Sequence, residues 1–245
     1  MRNFSRKFLF SFFIVISITI VFFFVPFGAH FASASTFVFG DISENTIWTQ
    51  EGSPYVIETN VNILPGSTLT IDPGVIVKFD GFSNIGMNVF GDLVVNGEEN
   101  NKVYFTSYFD DSIGGDTDGD FYCDPILDEE GNETGEENCY HFNFPSVGDW
   151  PGINFLSSHN NYLRNVVFKY ADNAIFLDHS YLNLKNIEIP DSVDDAVILN
   201  TSNIDADKVD CLDILGSCLI AYNSSNVNWI NSIVRTTKND AIDVY

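Results

Sequence analysis

The last third of the chain repeats itself every 22 or 23 residues. Ala174-Ile175-Phe176-Leu177 recurs as Ala196-Val197-Ile198-Leu199, as Cys218-Leu219-Ile220-Ala221 and as Ala241-Ile242-Asp243-Val244. A second series runs in step: Asn165-Val166, Asn186-Ile187, Lys208-Val209 and Asn231-Ser232. Fixed-period self-similarity marks a solenoid, in which one coil cannot bury its apolar face without a neighbour. Within each repeat the apolar runs are short and alternating, as in Leu182-Asn183-Leu184 and Ile187-Glu188-Ile189, and Asn, Asp, Ser and Gly separate them. That is strand chemistry. After residue 35 no stretch sustains the i, i+3, i+4, i+7 spacing of an amphipathic helix, which disfavours helical repeats. A coil of about 22 residues has room for two or three short parallel strands stacked at roughly 4.8 Å on the next coil. The expected fold is all-β, a parallel β-helix.

Asn165, Asn186 and Asn231 precede the same core strand in their coils. There a side-chain amide can bond its stacked equivalents and the turn backbone, forming an asparagine ladder that Lys208 interrupts. A ligand groove lined by the three is the alternative, but repeat register already accounts for them. The same register points Val166, Phe168, Ile175, Leu177, Ile187, Ile189, Val197, Leu199, Val209, Leu219, Ile233 and Ile242 inward.

Residues 1–34 read as a signal peptide: basic Arg2, Arg6 and Lys7, an apolar run from Phe8 to Val25, and a small-x-small site at Ala32-Ser33-Ala34. The run is also long enough to serve as an uncleaved N-terminal anchor, and either way the remainder, 35–245, is exported to the cell surface or secreted. Without that segment, 8 basic residues face 34 acidic ones, a formal charge of −26. Such a surface repels nucleic acid, anionic lipid and bare polyuronates; a polyanionic sugar would need bridging calcium. Simple solubility of an elongated surface explains the charge as well.

Four cysteines in an exported chain suggest two disulfides with three possible connectivities. Local pairing would join Cys123 to Cys139, closing an acidic loop, and Cys211 to Cys218. The latter two fall on inward repeat positions, as either a buried disulfide or two packed thiols.

The solenoid is less regular between residues 46 and 107, where Leu69-Thr70-Ile71 and Leu93-Val94-Val95 are alternating runs 24 apart. Residues 108–147 break the pattern and are expected as an acidic insertion on the outside of one coil, before Trp150 to Phe155 resumes it. Trp48, Ser53-Pro54-Tyr55-Val56, the run from Leu64 to Phe79, Phe105-Thr106-Ser107 and Gly148-Asp149-Trp150-Pro151-Gly152-Ile153 resemble the opening coils of exported bacterial right-handed β-helix proteins of the pectin-lyase-like superfamily. The resemblance covers roughly residues 46 to 245. It implies a right-handed parallel β-helix and a range of roles, from polysaccharide lyases and glycosidases to adhesin-like surface proteins.

The best local site is the run from Asp116 to Asp124, with Asp110 and Asp111 just before it. Asp116, Asp118, Asp120 and Asp124 at alternate positions of a Gly-containing loop can converge on one hard cation, and calcium is the expected ligand. An EF-hand would have Gly where Phe121 stands and Glu where Leu127 stands, so the run is nearer to the Asp-rich calcium repeats of extracellular proteins. A merely solvated loop is the alternative. Asp194-Asp195 superficially resembles the aspartate pair of polygalacturonases, but the repeat makes these positions turn formers. Lyase chemistry would need a basic residue; Arg164 and Lys185 can share a face, though outward lysines are usually solvated. His141, His159 and His179 have no metal-ligand spacing to one another.

The sequence thus implies a secreted or cell-surface β-helix module, structural and carbohydrate-interacting, with a polysaccharide-degrading enzyme as the alternative. The repeat breaks off at a core strand, so a longer protein or end-to-end self-association is expected.

Overall fold

The computed structural model describes residues 35–82, 84–190, 195–235 and 241–245. Residues 1–34, expected as a signal peptide, and Asp194 lie outside them. The described chain is an all-β parallel β-solenoid of about 9 turns. Its strands form a twelve-stranded and a seven-stranded parallel sheet. Each later coil has three sides. A strand such as Asn161–Phe168 bends partway, so that Tyr162-Leu163-Arg164 pairs with Val94-Val95-Asn96 while Val166-Val167-Phe168 pairs with Val103-Tyr104-Phe105. The seven-stranded sheet supplies the third side, in the register Ile153, Ile175, Val197, Leu219, Ile242.

The bend explains the asparagine series. Arg164 pairs with Lys185 and Val166 with Ile187, which leaves Asn165 and Asn186 out of the strand pattern, with φ of 50° and 56°. Lys208 and Asn231 hold the same left-handed conformation, φ 62° and 54°. Among residues with a Cβ, asparagine adopts it most readily. The amides also stack: Asn186 Nδ2 donates to Asn165 Oδ1, and Asn165 Nδ2 donates to Gly97 O at 2.7 Å. Asn231 turns instead to Asp207 Oδ1 at 2.8 Å, so the ladder does break at Lys208.

A second ladder lies at another corner, where Ser158, Ser180 and Ser202 are buried. The backbone N–H of each donates to the hydroxyl of the serine one coil on, Ser180, Ser202 and Ser225, at 3.0 to 3.1 Å. Corners have no strand partner for their N–H groups, and buried donors must find one. The third corner uses Asn173 Oδ1, which accepts from Asp195 N at 3.1 Å, and Asp195 Oδ1, which accepts from Ser217 N at 2.7 Å. Gly152, with φ 105°, crosses this corner where a Cβ would sit 1.6 Å from Asn173 O.

Inside, Phe105 stacks on Phe168 at 5.2 Å and Phe79 on Trp150 at 4.1 Å between ring centroids. Of the twelve positions expected inward, ten from Val166 to Leu219 are buried. Ile233 is not, at 45 % exposed. It pairs with outward Asp210, while Val234 pairs with Cys211; the register that sets Asn231 against Lys208 is kept, so Ile233 falls on an outward position and Val234 takes the inward place. Ile242 is in the inward register opposite Leu219 but is 49 % exposed, because among the described residues its strand pairs on one side only. Both local cysteine pairings are present, Cys123–Cys139 and Cys211–Cys218, and the second is wholly buried. Residues 108–147 are not all irregular: Tyr122–Leu127 and Glu133–Tyr140 form an antiparallel ribbon closed by the first disulfide.

Phe168 is fully buried against Phe105 and Trp150. Phe168→Ala is expected to cost about 3 to 5 kcal/mol, read as a lower denaturant midpoint with little change in slope.

Candidate functional site

Strand alternation places Val77 and Phe79 in the core and turns Lys78 outward, beside Thr106 on the next coil. Both outward side chains are nevertheless fully buried, because residues 110–117 lie over them. Lys78 Nζ donates to Asp110 O at 2.9 Å, Gly115 O at 2.7 Å and Thr117 Oγ1 at 3.0 Å. An ammonium has three donors, and all three fasten this loop to the solenoid. Burial pushes the Lys78 pKa below its ordinary value, against the opposing pull of Asp111 and Asp110.

Asp110 is the second anchor. Its carboxylate accepts from Thr106 Oγ1 at 2.7 Å, from Lys169 Nζ at 3.0 Å and from the Ser112 hydroxyl. Burial alone would raise its pKa, but bonds from Ser112, Thr106 and Lys169 outweigh burial and hold it below the usual carboxylate value.

Beyond these anchors the loop gathers Asp111, Asp116, Asp118 and Asp120, with one carboxylate oxygen of each within 4.8 Å of the others. His141 joins them: its Nδ1 lies 2.9 Å from both Asp111 Oδ2 and Asp120 Oδ1. Asn143 supplies two donors, its backbone N–H to Asp120 Oδ2 and its amide to Asp118 Oδ2 at 3.0 Å. Asp111 Oδ1 and Asp118 Oδ1 are shielded from solvent and accept no hydrogen bond. Burial and the neighbouring Asp118 and Asp116 raise the Asp111 pKa; burial, with repulsion from Asp120, raises that of Asp118. His141 is raised as well, first by its bond to Asp120. Four carboxylates converging with two unmatched oxygens suit a hard, oxygen-seeking cation.

Of the four aspartates proposed from the sequence, Asp116, Asp118 and Asp120 come together. Asp124 lies on the ribbon, where it accepts from the Tyr140 hydroxyl at 2.6 Å, and Asp111 stands in the cluster instead. His141 and Asn143 carry no local motif; they reach the cluster because the disulfide-closed ribbon folds the chain back. Lys78 had one signal, a lysine between two core positions of a strand.

The candidate aspartate pair behaves otherwise. Asp195 is a corner ladder member. A different set meets on the outer face of the twelve-stranded sheet. Tyr162, Asn183, Asp205 and Asn228 are register partners on successive coils, with Lys185 opposite Asp207 in the adjacent row. Together they line an open groove. Asp205 accepts from Tyr181 OH at 2.5 Å and from Asn228 Nδ2 at 3.1 Å. These two bonds, Tyr181 first, lower its pKa.

A pH dependence follows from His141. A group whose folded pKa is raised contributes stability below its unfolded value, near 6.5, and loses it as pH climbs through the folded value. With chelator present, raising the pH from about 6 to about 8 should therefore loosen residues 108–147. Hydrogen exchange, corrected for intrinsic rates, should show this in the wild type and not in His141→Gln; identical behaviour would contradict it. Asp111 and Asp118 shift the opposite way from Asp110, so acid should relieve their repulsion before Asp110 is protonated.

No family model matches the chain, and no solved structure gives a significant match. A stretch of 64 residues, 26 % of this chain, is 33 % identical to part of Protein bark beetle of Drosophila melanogaster. The match covers 2 % of the length of that protein.

Proposed function

We propose that this chain is an exported module of the cell exterior whose β-solenoid binds extracellular carbohydrate or surface components along an outer face, with calcium holding its acidic segment. The observation that carries this reading is the row Tyr162, Asn183, Asp205, Asn228 across four neighbouring strands. Amide, carboxylate and phenol groups in an open groove offer donors and acceptors for sugar hydroxyls, and a flat ring can pack on tyrosine. Because the groups repeat at the roughly 4.8 Å coil spacing, the groove suits an extended polymer better than a small compact ligand. Two disulfides accord with an oxidising exterior.

Calcium suits the cluster through its donor set: Asp111, Asp116, Asp118 and Asp120 offer only carboxylate oxygens, and calcium accepts six to eight oxygens in flexible geometry. A bound ion would offset the mutual repulsion of the four and engage the unmatched oxygens of Asp111 and Asp118.

The second reading, a polysaccharide-cleaving enzyme, draws on Asp205, Asp207 and Lys185 in one groove. Against it, Tyr181 and Asn228 hold Asp205 in its ionised form, the wrong state for a proton donor.

Two measurements test the proposal. Asn183→Ala combined with Asp205→Ala should weaken binding of neutral polysaccharide about tenfold or more in titration calorimetry; a panel of neutral polysaccharides that gives no binding to the wild type contradicts the carbohydrate reading. Calcium should raise the melting temperature of the wild type by mass action and not that of Asp118→Asn with Asp120→Asn. Equal protease sensitivity of residues 108–147 in calcium and in chelator would sink the calcium reading.

A further inference from the structure

The ribbon Tyr122–Leu127 and Glu133–Tyr140 carries an exposed aromatic face that neither the groove nor the cation cluster uses. Tyr122 and Tyr140 are direct cross-strand partners, 5.8 Å apart between ring centroids. Phe142 completes the set, 5.2 Å from Tyr140 with its plane turned by 89°, and 6.4 Å from Tyr122. The three rings are exposed by 50 %, 38 % and 65 %. Rings of this size are normally covered on a small ribbon, and a contiguous exposed group of them marks a contact surface. The Asp124 carboxylate sits among them, bonded to the Tyr140 hydroxyl.

The surrounding charge identifies the occupant. Residues 108–147 contain twelve Asp and Glu and neither Lys nor Arg. Ring faces carry partial negative charge and attract cations, and the carboxylates around them act in the same direction and over longer range. We propose that this face docks a basic protein segment, seating a lysine or arginine side chain against Tyr122, Tyr140 and Phe142. A second copy of this chain, an anionic lipid surface or a nucleic acid would each bring negative charge onto negative charge. A neutral sugar carries no charge for the long-range field of the carboxylates to attract. The inference is independent of the carbohydrate reading, since it uses a different face and a ligand of opposite character.

The experiment uses the disulfide-intact chain in saturating calcium, so that the cation cluster does not compete, and a fluorescent peptide of alternating arginine and glycine at physiological salt. Fluorescence polarisation should show saturable binding to the wild type. Tyr140→Ala with Phe142→Ala leaves the net charge unchanged and should weaken binding about tenfold or more. Tyr140→Phe keeps the ring and loses only the bond to Asp124, so its affinity should stay within about threefold of the wild type. If the double variant melts at a lower temperature than the wild type, Phe142→Ala alone is the deciding variant, with a loss of about threefold or more expected. Equal affinity of wild type and ring variants would show a general charge attraction and overturn the proposal. So would binding of a serine-glycine peptide of the same length, of a neutral oligosaccharide at the same face, or a concentration-dependent dimer abolished by the ring variants.

Discussion

Everything in this molecule depends on one coil lying in register on the next. Parallel strand pairing fixes each residue opposite its equivalent one turn away, as in Ile175, Val197 and Leu219, so the core is built from columns of like side chains. The pairing satisfies backbone groups along the sides and leaves them open at the corners. The corners are therefore where the chain needs particular residues. Left-handed Asn165 and Asn186, the serines 158, 180 and 202, and Asn173 with Asp195 each supply a side-chain partner to a backbone or side-chain group of a neighbouring coil.

Register also decides what faces solvent, and it makes outward rows as regular as the inner columns. Tyr162, Asn183, Asp205 and Asn228 are one such row. Residues 108–147 interrupt this regularity, and the structure accommodates them through a side chain that alternation turns the wrong way. Lys78 points out of the solenoid, yet it is buried, and its three donors tie the loop down. An unpaired buried ammonium would be strongly unfavourable; under the loop it meets two carbonyls, a hydroxyl and a field of carboxylates. The loop also brings aspartates together with more negative charge than their own hydrogen bonds can neutralise.

Periodicity made the solenoid legible, along with its core columns and the ladder break at Lys208, because a period of 22 residues constrains every position at once. The inward expectation failed at Ile233 because it rested on an apolar side chain: the series that sets Asn231-Ser232 against Lys208-Val209 already puts Ile233 opposite outward Asp210 and Val234 opposite Cys211. The role of Asn165 was only half visible: stacking could be read from spacing, whereas the left-handed bend depends on a backbone angle. The cluster was legible as Asp116, Asp118 and Asp120, which are neighbours in the chain. Asp124 was placed by spacing alone, and the ribbon carries it toward Tyr140. His141, Asn143 and Lys78 lie far from the run in sequence, and only the fold brings them to it.

Interstrand proton contacts by nuclear magnetic resonance test the register most directly. Parallel stacking in this register predicts amide contacts linking Ile175 to Val197 and Val197 to Leu219, with Asn165 and Asn186 bulged out between matched neighbours. Contacts displaced by one residue along these strands, or the close α-proton pairs of antiparallel strands, would contradict it.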